Sequence, residues 1–252
     1  NHTLPDKVSE ESRNGYKIKI SRNYTLKELE TIWLEIETIA QPSFFLTWNW
    51  MSNWIETYAP KLVVISVYCQ DNLVAIGLFT HSIEQRHKII TSNQLRLHQT
   101  GNNELDQIWI EYNDFICIPE HKDHAINASI EILQNKTHQW DEIIFSMAPA
   151  SRYESLLRDN FCIHIIDKIP CYAVNLSEIR QNSHQYIETL SSNSRYQIRR
   201  SIRRYEQQFG KIDMAIASSQ QEAISYFHEA GIDHKNRWPD SGFLNPKFIE
   251  FH

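Results

Sequence analysis

Glycine and paired cysteines are scarce in this sequence, and long apolar runs are missing altogether. Only six of its 252 residues are glycine, and its four cysteines include no C-x-x-C pair. No apolar run approaches the ~20 residues that a membrane-spanning helix needs, and the first residues, NHTLPDKVSE, contain no basic-then-apolar leader. These absences exclude a membrane span and predict a reduced, cytoplasmic setting, although four cysteines could pair in an exported protein.

The composition is that of a globular protein. The sequence is 41% apolar and 12% aromatic, which is ample for a packed core in one large domain or two of ordinary size. Its net charge of −6 argues against wholesale affinity for nucleic acid or for membranes. Any binding of a polyanion is therefore expected to be local.

Positive charge is concentrated in one segment. Five arginines and no acid lie in RYQIRRSIRR, in a chain with 25 basic and 31 acidic side chains. Ser194-x-x-Gln197 predicts a capping box that opens a helix here, on which Arg195, Arg199 and Arg203 stack along one edge. These like charges repel one another unless something anionic meets them. Two interpretations stay open: an anionic partner, or ion pairs with the chain's own Asp and Glu.

The hydrophobic periodicity of residues 1–176 predicts alternating strands and helices in a mixed sheet. The Thr25-x-x-Glu28 capping box is one of the helix starts. The fold class is therefore predicted to be α/β, in an α+β arrangement with helices flanking the sheet. The predicted elements are strand 17–20, helices 26–39 and 48–58, strands 62–68, 74–86, 95–97 and 108–118, helix 125–133, strand 142–145, helix 151–157, and strands 161–166 and 173–176.

Residues 177–252 start a similar pattern again. A helical pattern from about residue 177 through the arginine segment is followed by a strand predicted at 212–217. A helix capped by Ser219-x-x-Glu222 comes next, with Tyr226 and Phe227 on its inner side. Asn245-Pro246 then opens one more helix. We expect a helical connection and the first elements of a second domain, cut off, which must lean on the first domain or on further chain.

Five stretches of the sequence carry a resemblance to a known family. In chain order they are PSFFLTWNWMSNWIETY, EYNDFICIPE, LSSNSRYQIRRSIRRYEQQFG, HKNRW and FLNPKFIEFH. Together with the order of elements in residues 17–176, they resemble the GNAT superfamily of acyltransferases. Within it the sequence looks like the CelD-like acetyltransferases linked to cellulose or exopolysaccharide synthesis, a branch related to the FemA/FemB-type aminoacyl transferases.

The resemblance implies two fused GNAT-like folds, with the acyl-CoA pocket in the second. Acetyl-CoA or another acyl-CoA is thus the implied cofactor of the intact protein. The first domain lacks the glycines that let backbone N–H groups approach a pyrophosphate, because the stretch CIPEHKDHA after its fourth strand contains none. We expect this chain alone to bind acyl-CoA weakly or not at all, and its first domain to shape one wall of an acceptor cleft.

Tyr112, Asn113 and Asp114 are the first candidate acceptor-binding residues. They stand at a predicted strand end among apolar neighbours, where a carboxylate and an amide could hold an amine or a hydroxyl. The alternative is a turn or bulge in which Asn and Asp hold local backbone. The family resemblance favours the functional interpretation.

Two further segments contain histidine. His234, Arg237 and Trp238 close a predicted helix, where a cation is favoured by the helix dipole in any case, and the resemblance keeps them as acceptor-site candidates. His121-x-x-His124 has a spacing compatible with a metal ion, but no third ligand is near in sequence. We therefore predict no metal site.

These patterns predict an N- or O-acyltransferase that acts on a small-molecule or glycan-type acceptor, in polysaccharide or cell-envelope biosynthesis by resemblance. An anionic group of the acceptor is expected at the arginine segment, and nucleic acid is not the expected partner. The second hypothesis is a non-enzymatic binding module, in which the arginine helix holds an anionic ligand and the fold is only a scaffold. No nucleophile or general base is predicted from the sequence.

Overall fold

The computed structural model describes residues 9–58, 60–86, 89–135, 139–149, 153, 163–182 and 185–252. The chain divides into two compact units, residues 1–164 with 234–252 and residues 165–233. Within the described ranges, no helix combines the length and the apolar character that crossing a bilayer requires.

The first unit is built on a mixed sheet, with seven strands among the described residues. They are β1 (Ser9–Arg13), β2 (Tyr16–Ser21), β3 (Leu62–Cys69), β4 (Asn72–Arg86), β5 (Ile90–Leu97), β6 (Ile116–Cys117) and β7 (Glu142–Ile144). Their spatial order is β1-β2-β3-β4-β5-β7, and β6 pairs with β4. Every pair is antiparallel except β5 with β7, which run parallel. The predicted mixed sheet is thus confirmed.

Helices cover both faces of this sheet, as the prediction required. One face packs against α1 (Leu26–Ala40) and α2 (Trp48–Tyr58), and the other against α3 (Lys122–Gln134). The predicted capping box starts α1, since the Thr25 hydroxyl accepts from the Glu28 backbone and the Glu28 carboxylate accepts from Thr25.

The last helix of the chain also belongs to the first unit. Asn245 caps α7 (Pro246–Phe251), and its side-chain amide donates to the Glu104 carbonyl and to Gln107 Oε1. The buried Phe251 side chain packs on α2. This last helix is therefore packed on the first unit.

The strand predicted over 108–118 is wrong as a single element. After β5 ends at Leu97, the chain leaves the sheet and returns only at β6. The left-handed backbone of Trp109 (φ 50°) and Tyr112 (φ 53°) cannot continue an extended strand, so only Ile116 and Cys117 pair with β4.

The second unit contains fewer elements than predicted. Its helices are α4 (Leu176–Gln181), α5 (Ser192–Phe209) and the start of α6 (Gln220–Arg237). Strands were predicted over 161–166, 173–176 and 212–217. None forms in the described residues of these ranges, where no described strand edge pairs with them. The helix predicted over 151–157 lies outside the described residues apart from Tyr153.

Two details of these helices differ from the prediction. The arginine helix α5 begins three residues earlier than expected, because Ser191, rather than Ser194, is its N-cap and accepts from the Ser194 backbone. On α6, Tyr226 is exposed and Phe227 is only half-buried. No strand is described in residues 165–182 or 185–233, so no sheet layer covers the exposed Tyr226 side chain there.

Candidate functional site

A buried polar cluster lies at the interruption of the sheet in the first unit, the segment 98–115 between β5 and β6. His98 follows the last residue of β5, and Asn113 and Asp114 precede β6. All three side chains are buried, which is unusual for polar residues unless each finds hydrogen-bond partners. The interruption therefore brings together residues that lie 15 positions apart in the sequence.

The Asn113 side chain ties the two ends of the interruption to the neighbouring chain. Its amide nitrogen donates to the Leu97 carbonyl at 2.9 Å and to the Ser146 carbonyl at 3.1 Å. The Asn113 backbone N–H donates to the Met147 carbonyl, just beyond β7. The Asn113 amide thus spans the gap between β5 and the segment that follows β7.

His98 completes this cluster as a neutral imidazole. Its Nε2 accepts from the Leu78 backbone N–H at 3.1 Å, so Nδ1 carries the proton and donates to Asn113 Oδ1 at 2.9 Å. Burial lowers the pKa of His98 to about 4, although the hydrogen bond with Asn113 acts in the opposite direction. The ring is therefore a fixed connector between β4 and the interruption at neutral pH.

Within this cluster, the Asp114 side chain has contacts of its own, near the start of α3. Its Oδ1 accepts from the Phe115 backbone and from the Tyr153 hydroxyl, and its Oδ2 lies 3.1 Å from Lys122 Nζ. The carboxylate is almost fully buried, whereas the Lys122 side chain is half-exposed. The Asp114 carboxylate is therefore held by hydrogen bonds on one oxygen and by the Lys122 ammonium group on the other.

Among the predicted triplet, Tyr112 is placed differently from its two neighbours. Its ring is about half exposed, on left-handed backbone (φ 53°), while Asn113 and Asp114 point inward. The structure therefore places the triplet together at the strand interruption, with only the Tyr112 side chain on the surface.

The turn between β6 and α3 contains side chains and a proline where a phosphate cradle needs bare backbone. Pro119 opens it, and His121 Nδ1 lies 3.1 Å from the Tyr16 hydroxyl. Within the part of the chain that the structure describes, no three His, Cys, Asp or Glu side chains come together as a metal site.

The arginine helix α5 is described within the second unit. Arg195 donates from one guanidinium nitrogen to the carbonyls of Glu188 and Leu190, which anchors the helix start. The other four arginines, Arg199, Arg200, Arg203 and Arg204, form no salt bridge with a carboxylate of the described residues.

The candidates His234, Arg237 and Trp238 lie in the first unit. His234 Nδ1 is 2.8 Å from the hydroxyl of the buried Ser241. The Arg237 guanidinium lies over the Trp238 ring, 5.2 Å from its centroid, and half of that ring is exposed. This places a cation and an aromatic face side by side on the surface.

His98, Lys122 and Tyr153 were not among the predicted site residues. His98 follows an apolar strand, and nothing in its local sequence distinguishes it from a surface histidine at a strand end. The contacts of His98 with Asn113 and of Asp114 with Tyr153 join residues 15 and 39 positions apart, so no local spacing signals them.

Comparison with protein-family models and with curated proteins found no match. One similar solved structure is a ribosomal-protein-alanine N-acetyltransferase from Brucella melitensis biovar Abortus 2308, with 13% identity over 64% of this chain and 99% of that one, and a TM-score of 0.37. A glucosamine-6-phosphate N-acetyltransferase from Arabidopsis thaliana has 11% identity over 62% and 99%, with a TM-score of 0.36. An integron cassette protein of V. cholerae has 10% identity over 67% and 98%, with a TM-score of 0.35. The sequence identities and TM-scores of all three comparisons are low.

Proposed function

We propose that this chain is a GNAT-type acyltransferase that moves an acyl group from acyl-CoA to an amine or hydroxyl acceptor. The observation that carries the proposal is the sheet of the first unit, in which α1 and α2 separate β2 from β3 and a parallel strand, β7, follows the interrupted strand. The five sequence stretches that resemble GNAT acyltransferases also support the proposal. In the reaction, the acceptor nitrogen or oxygen forms a bond to the acyl carbon, the carbon–sulfur bond breaks, and CoA leaves as the thiol while the acceptor loses a proton.

The first unit does not fit acyl-CoA in the usual GNAT manner. The turn before α3 has no glycine and offers Pro119 and His121 where backbone N–H groups would face a pyrophosphate. The gap beside β7 is bridged by the Asn113 amide. We therefore assign no donor-binding step to this unit and propose that it contributes one wall of the acceptor cleft.

The acceptor would be held by surface groups of that unit. The Tyr112 hydroxyl is accessible, and Lys122 with Asp114 offers a donor beside a buried acceptor. Arg237 over Trp238 provides a cation on an aromatic face, a pair suited to an oxygen-rich ring such as a sugar. A polysaccharide or cell-envelope acceptor is the finer form of this proposal.

The test is acyl transfer by the whole chain at millimolar acetyl-CoA, which detects turnover even when the donor binds weakly. Thiol release is measured with a hexosamine, with the same sugar phosphorylated at C6, and without an acceptor. We expect acceptor-dependent release that falls at least about tenfold, a loss of roughly 1.4 kcal/mol of transition-state stabilisation, in Tyr112→Phe or Arg237→Gln.

Tyr172→Phe is the matched control, because this tyrosine is almost fully exposed in the second unit and is no candidate. Release that is independent of every acceptor, or equal in all variants, would contradict the proposed acyl transfer. Calorimetry should also show weak or undetectable acetyl-CoA binding, and a micromolar Kd would contradict the absence of a donor site in the first unit.

A second candidate function is a binding module without catalysis. It is favoured by one observation, the four arginines of α5 that pair with no described carboxylate. Ligand binding to α5 without thiol release above the uncatalysed background would select this function over acyl transfer.

A further inference from the structure

Helix α5 presents an apolar ridge as well as its arginines. Ile198, Ile202, Tyr205 and Phe209 fall on one face at helical spacing, and none of them is buried. Their exposed fractions range from 38% to 64%. This exposed ridge on an 18-residue helix is available to an apolar partner, because burial of one face normally stabilises an amphipathic helix.

The arginine edge lies directly beside this ridge. A shallow depression of about 550 Å³ is lined by Arg195, Arg199 and Arg203 together with Tyr196 and Ile202. Arg200 and Arg204 extend the positive surface around the helix, and Glu206 is its one acid. The occupant must therefore satisfy a row of positive charges and cover apolar side chains at the same time.

This double requirement separates the possible occupants. A second copy of the helix would bring five arginines against five, which repel. A nucleic acid would satisfy the arginines through its phosphates but would leave Ile198, Ile202 and Phe209 in water. An anionic lipid surface satisfies both, because its head groups are negative and its acyl boundary is apolar.

We propose that α5 docks on an anionic membrane surface, lying in the interface with Ile198, Ile202, Tyr205 and Phe209 turned toward the acyl chains. The arginines reach the lipid phosphates, since long basic side chains can lie along apolar surface while their charged ends stay in water. The chain's net charge of −6 confines the attraction to this helix. The inference concerns a peripheral contact and is independent of acyl transfer.

The experiment is cosedimentation of the full chain with sucrose-loaded vesicles at low and high salt. Vesicles of phosphatidylcholine alone are compared with vesicles in which about a third of the lipid is phosphatidylglycerol. We expect binding only to the anionic vesicles, weakened as salt rises, because about 0.1 M salt already screens charges beyond ~10 Å. Inorganic phosphate and a single-stranded RNA are added as competitors.

Two double variants separate charge from apolar contact. Arg199→Gln with Arg203→Gln should weaken partitioning by about 30-fold, from the roughly fivefold that each basic residue near an anionic surface contributes. Ile202→Ser with Phe209→Ser should weaken it by about tenfold through lost apolar burial. Lys27→Gln with Lys61→Gln is the control, since it removes two exposed charges of the first unit and should leave binding unchanged.

Helix content and Tm are measured for every variant, so that a loss of binding is not confused with unfolding. No cosedimentation with anionic vesicles at low salt would overturn the proposal. So would equal binding by the wild type and the arginine variant, an apolar variant that binds like the wild type, or displacement from the vesicles by phosphate or RNA at low concentration.

Discussion

Two helices of this chain carry almost the same amphipathic pattern and have opposite environments. In α1 of the first unit, Leu29, Trp33 and Ile36 are buried against the sheet. In α5 of the second unit, Ile198 and Ile202 stand at the same spacing and remain exposed, and no residue of the helix is buried. A 3.6-residue period thus identifies the apolar face of a helix, but it does not identify what covers that face.

The two helices are consequently held by different interactions. α1 gains its stability from apolar area removed from water, at roughly 25 cal/mol per Å². α5 relies on local contacts: the Ser191 cap, the bonds of Arg195 to two carbonyls, and Gly210, whose positive φ ends the helix. Such contacts contribute about 1 kcal/mol each.

The largest expected effect tests this contrast directly. Trp33→Ala should lower the free energy of unfolding by about 4 kcal/mol, because it empties a fully buried site and removes the indole bond to the Leu46 carbonyl. Phe209→Ala, the same kind of truncation on α5, should change it by less than about 0.5 kcal/mol. Urea unfolding of both variants, followed by tryptophan fluorescence and circular dichroism, measures the difference.

Equal losses in the two variants would break the comparison, since they would show that Phe209 is buried in solution. Trp33→Phe serves as an intermediate step, because it keeps most of the packing and loses the hydrogen bond.

The parts of the fold that follow from sequence are those with local causes. The α1 start was predicted because Thr25 and Glu28 form a complete capping box, and β3 and β4 were predicted because each is a long apolar run. The later part of the interruption, from residue 108 onward, was predicted as strand because it is rich in apolar residues. Its loop shape depends on the distant contact of Asn113 with Ser146, which no local pattern indicates.

The polar cluster shows the same limit. The sequence indicated Asn113 and Asp114 as polar residues at a strand end, and left open whether they bind an acceptor or hold local backbone. His98 and Tyr153 could not be named, because their contacts depend on how the loop and the chain after β7 fold back. For the arginine helix, the charge and the helical period were predicted correctly. The predicted N-cap, Ser194, was wrong, because Ser191 caps the helix.

The second prediction extends the comparison to buried and exposed amides. Asn113→Ala should cost about 3 kcal/mol, because the Leu97 and Ser146 carbonyls and the His98 Nδ1–H lose their shared partner. Asn193→Ala, on the exposed first turn of α5, should be nearly neutral. Urea midpoints of the two variants test this, and an Asn113→Ala protein as stable as the wild type would show that water replaces the amide without cost.

The third prediction concerns pH and the His98 ring. Its pKa is about 4 in the folded chain and 6.5 in a model peptide, so the unfolded chain binds the extra proton between these values. Stability is therefore full above pH 6.5 and falls as the pH drops toward 4, by about 2 kcal/mol between pH 7.5 and 5. Urea unfolding at the two pH values should show this loss in the wild type and in His124→Gln, an exposed control, but not in His98→Gln.

If His98→Gln is too unstable to compare, the wild type provides a second readout. The imidazole resonances of His98 should stay almost unchanged down to pH 5 in the folded protein. A His98 ring that titrates near 6.5 would contradict its neutral, buried state.

The smallest expected effect is on the stability of the arginine helix itself. Replacing Arg199 and Arg203 by Gln removes two exposed charges four residues apart that repel by about 0.2–0.5 kcal/mol. The free energy of unfolding should therefore stay level or rise slightly, while binding to a phosphate-bearing surface weakens in a salt-dependent way. Thermal unfolding and vesicle binding are measured on the same preparation. A double variant that unfolds, with unchanged binding under stabilising conditions, would mean that the arginines pair with the chain's own acids. The two helices α1 and α5 would then differ in the chemistry of their partners instead of in their exposure.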